Sequence, residues 1–274
     1  MIDTHCHLTC DGLFERVGPV VADARVAGVD RMISVGTSLT DSARAAGLAA
    51  TESGVFATVG VHPGHSGEVA DVSELKPVLN TLLDRIGVVA LGEMGLDRHY
   101  PDPPLDAVQR PVFAAQLELM AQRAERGDGA PLVGVVHNRE ATDDTLAMIN
   151  DHGVDAGRLV FHCFTGSVAE CEQILAAGAM VSFTGIVTFG GAKAVARASD
   201  RVPLDRLMIE TDSPFLTPAP HRKVRPNEPK YVPHVAAFLA ARRGMAVEEF
   251  VNVVDANAER FFRLPAARSR LGVG

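Results

Sequence analysis

Eight short, almost uninterrupted apolar runs alternate along this chain with longer stretches whose apolar residues recur at helical spacing. The runs are Met1–Asp3, Arg31–Val35, Phe56–Val61, Val88–Leu91, Leu132–Val136, Leu159–Phe161, Met180–Phe183 and Leu207–Ile209. A strand without a polar face must be covered on both sides, as in a parallel sheet flanked by helices. The intervening stretches read as those helices: Leu13–Gly28, Leu39–Ser53, Val72–Ile86, Leu105–Arg126, Glu140–Asp151, Ser167–Ala177 and Ala192–Ser199. Glycines at Gly28, Gly54, Gly87 and Gly178 close several of them. Val232–Arg243, Val247–Val253 and Asn257–Arg263 supply the last helices. Eight β units joined by helices in 274 residues describe an α/β chain of the (β/α)8 TIM-barrel class. The rival, a doubly wound open sheet, uses roughly six strands and a glycine-rich first turn, and no G-x-G-x-x-G follows the first run here.

No linker, internal repeat or low-complexity tract divides the chain, so residues 1–274 are expected to form one domain. The N-terminus lacks a basic start with an apolar core, and no run approaches the ~20 apolar residues that cross a bilayer. No membrane association is expected. Cys6, Cys10, Cys163 and Cys171 are scattered without a C-x-x-C pair, as fits reduced thiols and a cytoplasmic location. The formal charge of −8 argues against a bulk electrostatic grip on nucleic acid. A polyanionic substrate would have to be held locally, and bound metal ions supply local positive charge of that kind.

Directly behind the first run stands His5-Cys6-His7. Strand side chains alternate, so His5 and His7 point the same way and Cys6 the other. Glu93, His137, His162 and Asp212 each stand just past the end of another run, and these residue types bind divalent transition metals. Barrel enzymes build their sites from the C-terminal ends of strands, so the barrel brings all six to one rim. Six imidazole and carboxylate ligands exceed what one tetrahedral zinc takes, and two ions sharing a carboxylate fit better. Such a pair, roughly 3.5–4 Å apart, lowers the pKa of water and clamps the attacking and leaving oxygens of a displacement. Hydrolysis, with phosphate esters as suitable substrates, is the implied reaction.

Six further motifs run in one order: Ile2-Asp3-Thr4-His5-Cys6-His7-Leu8, Gly60-Val61-His62-Pro63, Gly92-Glu93-Met94-Gly95-Leu96-Asp97, Val136-His137-Asn138-Arg139, His162-Cys163-Phe164-Thr165-Gly166 and Ile209-Glu210-Thr211-Asp212-Ser213-Pro214. With His221-Arg222 and Asn227-Glu228-Pro229-Lys230-Tyr231-Val232, the chain resembles the TatD family of metal-dependent deoxyribonucleases over nearly its whole length. The resemblance implies a metal-dependent hydrolase of the amidohydrolase-like superfamily with two divalent metals, Zn, Mn or Mg. It implies cleavage of DNA phosphodiester bonds, often from a 3′ end, with DNA as substrate and no obligate protein partner evident. By position, His5, His7 and Asp212 would hold one metal, His137 and His162 the other, and Glu93 would bridge them. Asp212 would also accept the proton of the attacking water.

Outside this set, Arg222 resembles a phosphate-contacting arginine, with a solvated loop arginine as the alternative. His62 is expected near substrate. His65 and His99 fall in loops on the same rim, whereas His152 and His234 read as structural, Cys163 as packing that faces away from the metals, and Ser213 as no nucleophile. The chain departs from the family pattern in a longer loop at Gly64-His65, a roomier turn at Arg126–Pro131 on the opposite rim, Glu140 in place of aspartate, and Pro226 before Asn-Glu-Pro. Pro226 stiffens the loop carrying Arg222 and Arg225, which puts their phosphate roles in question. Identical ligands also serve binuclear hydrolases of other esters, amides or phosphoesters, such as aminoacyl-tRNA deacylation, so the substrate is not set by the ligands.

Overall fold

The computed structural model describes residues 1–99, 105–126 and 131–265. Eight parallel strands stand in sequence order in one sheet. They are β1 (Ile2–Cys6), β2 (Arg31–Val35), β3 (Val55–Val59), β4 (Val88–Asp97), β5 (Gly134–Arg139), β6 (Leu159–Phe161), β7 (Met180–Phe183) and β8 (Leu207–Ile209). The helices are α1 (Val17–Val26), α2 (Leu39–Thr51), α3 (Leu75–Leu83), α4 (Asp106–Arg126), α5 (Thr142–Asp151), α6 (Val168–Ala176), α7 (Lys193–Ser199), α8 (Val232–Arg243) and α9 (Val247–Phe262). The TIM-barrel architecture is therefore present. The barrel closes through an isolated bridge between Cys6 and Ser213, which lies beyond β8. His7 N–H donates to Ser213 O at 2.7 Å and Asp212 N–H to His5 O at 2.9 Å across the same seam.

Two apolar clusters form the core. One holds Ile2, Ile33, Val35, Ala90, Val133, Val135, Val160, Met180 and Met208, drawn from strands all round the sheet, together with Phe261 and Phe262 of α9. It is the barrel interior, plugged by α9. The alternate residues Met32, Leu91, Val136, Phe161 and Val181 belong to the larger cluster between strands and helices. α9 runs unbroken where two helical pieces, Val247–Val253 and Asn257–Arg263, were expected. Nothing between them breaks a helix, and Asn257 satisfies itself sideways on Leu204 O (2.6 Å) and Leu207 O (2.9 Å).

Strand parity changes twice, both times beneath a site residue. In β1, Ile2 faces the interior whereas Cys6 faces outward, and the pairing with β2 shifts between Asp3 and Cys6. In β4, Ala90 faces inward and Met94 outward, with a shift against β5 between Leu91 and Met94. Such irregularities re-aim side chains. They turn His5, His7 and Glu93 inward at the top of the barrel. The roomier turn expected at Arg126–Pro131 falls largely on residues 127–130, outside the described residues. Among the described residues, no helix is long and apolar enough to cross a membrane.

Candidate active site

The six expected ligands meet at the C-terminal mouth of the barrel. His5, Glu93 and His137 lie within β1, β4 and β5 rather than just past them, because β1, β4 and β5 run further than the apolar runs indicated. Polar residues extend these strands since each ladder continues under the site, as where Gly95 pairs with His137. His7, His162 and Asp212 follow β1, β6 and β8. Asp212 adopts a left-handed φ of 54°, a conformation that costs a non-glycine residue free energy and clusters at functional sites.

Glu93 is the centre of the arrangement, 2% exposed. Its Oε2 faces His5 Nε2 at 3.4 Å and His7 Nε2 at 3.9 Å. Its Oε1 faces His162 Nε2 at 2.6 Å, His137 Nδ1 at 2.9 Å and His62 Nε2 at 3.5 Å. One carboxylate thus addresses two groups of imidazoles with its two oxygens. Asp212 Oδ1 joins the first group, 3.2 Å from His7 Nε2 and 3.7 Å from His5 Nε2.

The donor set fits divalent metal. His5 Nε2 and His7 Nε2 lie 3.2 Å apart. Two metal–nitrogen bonds of about 2.1 Å spanning that gap would subtend roughly 100° at one ion, close to tetrahedral or octahedral angles. His5, His7 and Glu93 form one group of convergent ligand atoms, and Glu93, His137 and His162 a second.

The buried carboxylates and imidazoles shift one another's protonation. Burial opposes ionisation of Glu93, yet the positive charge of His162 and hydrogen bonds from His137 and His162 hold it well below the usual carboxylate range. Burial likewise disfavours a charged His7, but the Asp212 hydrogen bond and charge carry it up to about 9. His162 is pushed well above the ordinary imidazole value by Glu93 and Glu210, against its burial. His62, buried and crowded by His137, falls to about 3.

Supporting residues beyond the expected set are evident. Asp97 Oδ2 sits 2.8 Å from His137 Nε2 and fixes that ring from behind. Glu210, 1% exposed, accepts Cys163 N–H at 2.7 Å and lies 3.5 Å from His162 Nδ1. Asp3 ties β1 to the segment after β8, accepting Thr211 Oγ1 at 2.6 Å and Thr211 N–H at 2.9 Å. The quoted Gly-Glu-Met-Gly-Leu-Asp and Ile-Glu-Thr-Asp motifs contain Asp97 and Glu210, but only the folded register shows what they touch.

Other expectations divide. His62 stands beside the cluster, its Nε2 3.1 Å from His137 Nδ1. His65 lines the mouth, bonded to Glu68 at 2.7 Å. Cys163 lines the mouth too rather than facing away, because its left-handed φ of 45° breaks strand alternation after β6. Ser213 is buried in the barrel seam, hydrogen-bonded with Thr211. Arg222 is exposed and lies over the Phe189 ring at 3.7 Å. Arg225 folds back on its own loop, donating to the Arg222 and Val224 carbonyls at 2.7 Å.

The cavity above the cluster has a volume of about 420 Å³. The model of the TatD related DNase family matches residues 2–263. The chain belongs to this family. The uncharacterized metal-dependent hydrolase YcfH of Escherichia coli is 36% identical over 271 residues, covering 98% of this chain and 97% of its own. The Bacillus subtilis hydrolase YabD, likewise uncharacterized, is 34% identical over 264 residues, covering 96% and 99%. A protein of Erwinia billingiae named 3′-5′ ssDNA/RNA exonuclease TatD is 35% identical, covering 97% of this chain and all of its own. The crystal structure of the Escherichia coli TatD homologue YjjV superposes with a TM-score of 0.86 at 26% identity, covering 97% and 98%. This TatD-family chain is accordingly a metal-dependent hydrolase, with its candidate ligands gathered at the mouth of the barrel.

Proposed function

We propose that this chain is a single-domain, two-metal phosphodiesterase that shortens DNA from its 3′ end. The observation that supports two ions is the division of labour within Glu93, whose Oε2 faces His5 and His7 while its Oε1 faces His137 and His162. His5, His7 and Asp212 would hold one divalent cation, His137 and His162 the other, and Glu93 both. Bound cations of this kind lower the pKa of water and neutralise the charge on phosphate oxygens.

The chain's own groups supply the rest. Asp212 stays ionised because the His7 hydrogen bond and the charge of His5 and His7 outweigh its burial. Its carboxylate, at the cavity mouth, accepts the proton of the attacking water. His62 lines the same cavity, its Nδ1 accepting Gly64 N–H, and would stand beside a phosphate held there. Asp97 and Glu210 hold the rings of His137 and His162 in their working orientations.

The name borne by the Erwinia relative supports a single-stranded substrate and 3′ polarity. The test incubates 3′- and 5′-end-labelled single-stranded and duplex DNA with the protein and Mg²⁺, Mn²⁺ or Zn²⁺, alongside Asp212→Ala and a metal analysis. Stepwise loss from the 3′ end, abolished in the variant, is expected with about two ions per chain. Retained hydrolysis of small esters with intact DNA would instead place the activity on another substrate.

A further inference from the structure

Nine large apolar side chains are exposed among the described residues, and of these Phe215 is the one that lines the catalytic cavity. Its ring is 55% exposed and stands edge-to-face with His7, centroids 6.4 Å apart. Singly exposed apolar side chains are ordinary; Phe215 is set apart by its place on the cavity wall beside His7 and Asp212, where a ligand would meet it. Leu216 and Ile186 continue the same apolar wall, whereas Asn138, Arg139 and Thr165 line the cavity with polar groups.

The backbone holds the ring out rigidly. Left-handed residues bracket the turn, Asp212 at φ 54° and Leu216 at φ 59°. Phe215 N–H donates to Asp212 O at 2.9 Å, and Asn227, fully buried, donates its side-chain amide to the Phe215 carbonyl. Gly185 allows the β7 loop to close against this turn, since a Cβ there would lie 2.0 Å from Leu216 O. The exposed ring and the carboxylate of Asp212 therefore share one braced turn.

We propose that Phe215, walled by Leu216 and Ile186, is a nucleobase subsite that stacks the base adjoining the scissile phosphate. This rests on the nucleic-acid reading above. An aromatic face beside a phosphate-handling centre suits a base of any identity, because every base presents a π-face. Stacking there fixes the strand next to Asp212 and gives a protein of charge −8 a grip that needs no basic groove.

Two measurements test it. The first compares wild type, Phe215→Ala, Phe215→Leu and Phe215→Tyr on single-stranded oligonucleotides that carry, or lack, the base beside the cleaved bond. Wild type is expected to favour the base-bearing strand by about 5- to 150-fold, mostly in KM, as one stacked base is worth. That preference should collapse in Phe215→Ala and Phe215→Leu and return in Phe215→Tyr. A preference undiminished in Phe215→Ala overturns the subsite.

The second uses Phe215→Trp, which places the sole tryptophan in a chain that otherwise has none. Its emission should be quenched by a phosphorothioate-linked oligonucleotide and not by the abasic counterpart. Equal responses to both overturn the proposal, even if activity were lost in other variants. Failure of the wild type to cut any oligonucleotide while hydrolysing a small phosphodiester removes the nucleic-acid reading and the subsite together. Loss of base preference alone leaves the nuclease reading standing.

Discussion

Asp97 and His137 are coupled through the imidazole nitrogen that does not face Glu93: Asp97 Oδ2 lies 2.8 Å from His137 Nε2, while His137 Nδ1 faces Glu93 at 2.9 Å. With a metal bound, this pairing would keep the ring proton on Nε2 and leave Nδ1 to the ion. Asp97→Ala should therefore weaken metal binding or activity by about 10–100-fold. Metal titration of the variant checks this, and unaltered affinity would make Asp97 a bystander.

Glu93 is the shared carboxylate, so Glu93→Gln should do more than lower affinity. It removes the charge that faces both imidazole groups, and metal content should fall from about two ions per chain to one or fewer. Elemental analysis of protein dialysed against excess metal would read the difference.

Metal that binds only the folded state should stabilise it. At a free concentration about 100 times Kd the gain is ~2.7 kcal/mol for one ion, so its chelation should lower Tm by about 5 °C in a chain of this size. An identical melting curve with and without chelator would contradict a metal bound in the native state.

Gly95 has a φ of 146°, and a Cβ there would lie 1.9 Å from His137 O. Gly95→Ala must push β5 away at the residue that carries His137, costing at least about 2 kcal/mol and misplacing a ligand. Gly190, with open space around the position, is the control and should tolerate alanine within about 0.5 kcal/mol. Denaturant unfolding of both variants checks the contrast.

Glu170 caps α6, accepting Ser167 N–H at 2.7 Å and Thr142 Oγ1 at 3.0 Å. Partial burial opposes ionisation, but these bonds hold its pKa below the usual 4.5. A folded-state value below the unfolded one means stability that is present above about 4.5 and fades as pH falls through the folded value. Glu170→Gln should cost about 0.5–1 kcal/mol at neutral pH, since solvent screens the exposed part of the side chain. The gap to wild type should narrow as pH falls below about 4.5.

The barrel was legible in the chain because a strand covered on both faces must be apolar throughout, and that pattern needs only neighbouring residues to read. Helix α9 is one element rather than two, because nothing in Val254-Asp255-Ala256 breaks a helix and Asn257 is anchored on the β8 connection. His5, His7, Glu93, His137, His162 and Asp212 were legible because the barrel sends every strand end to one rim. The seat of Arg222 over the Phe189 ring was not, since the two lie on separate loops and no spacing in the sequence relates them.

Residue types, strand order and the rim at which the polar groups collect were determined by the sequence itself, through alternation and helical periodicity acting over a few residues. Where those groups point was decided by the tertiary structure. Shifts of pairing in β1 and β4 invert strand parity just below His5 and Glu93, and a seam joins His7 to Asp212 across 205 residues of chain. Such shifts arise from matching one strand to its neighbours around a closed ring, a constraint that no local stretch of sequence contains.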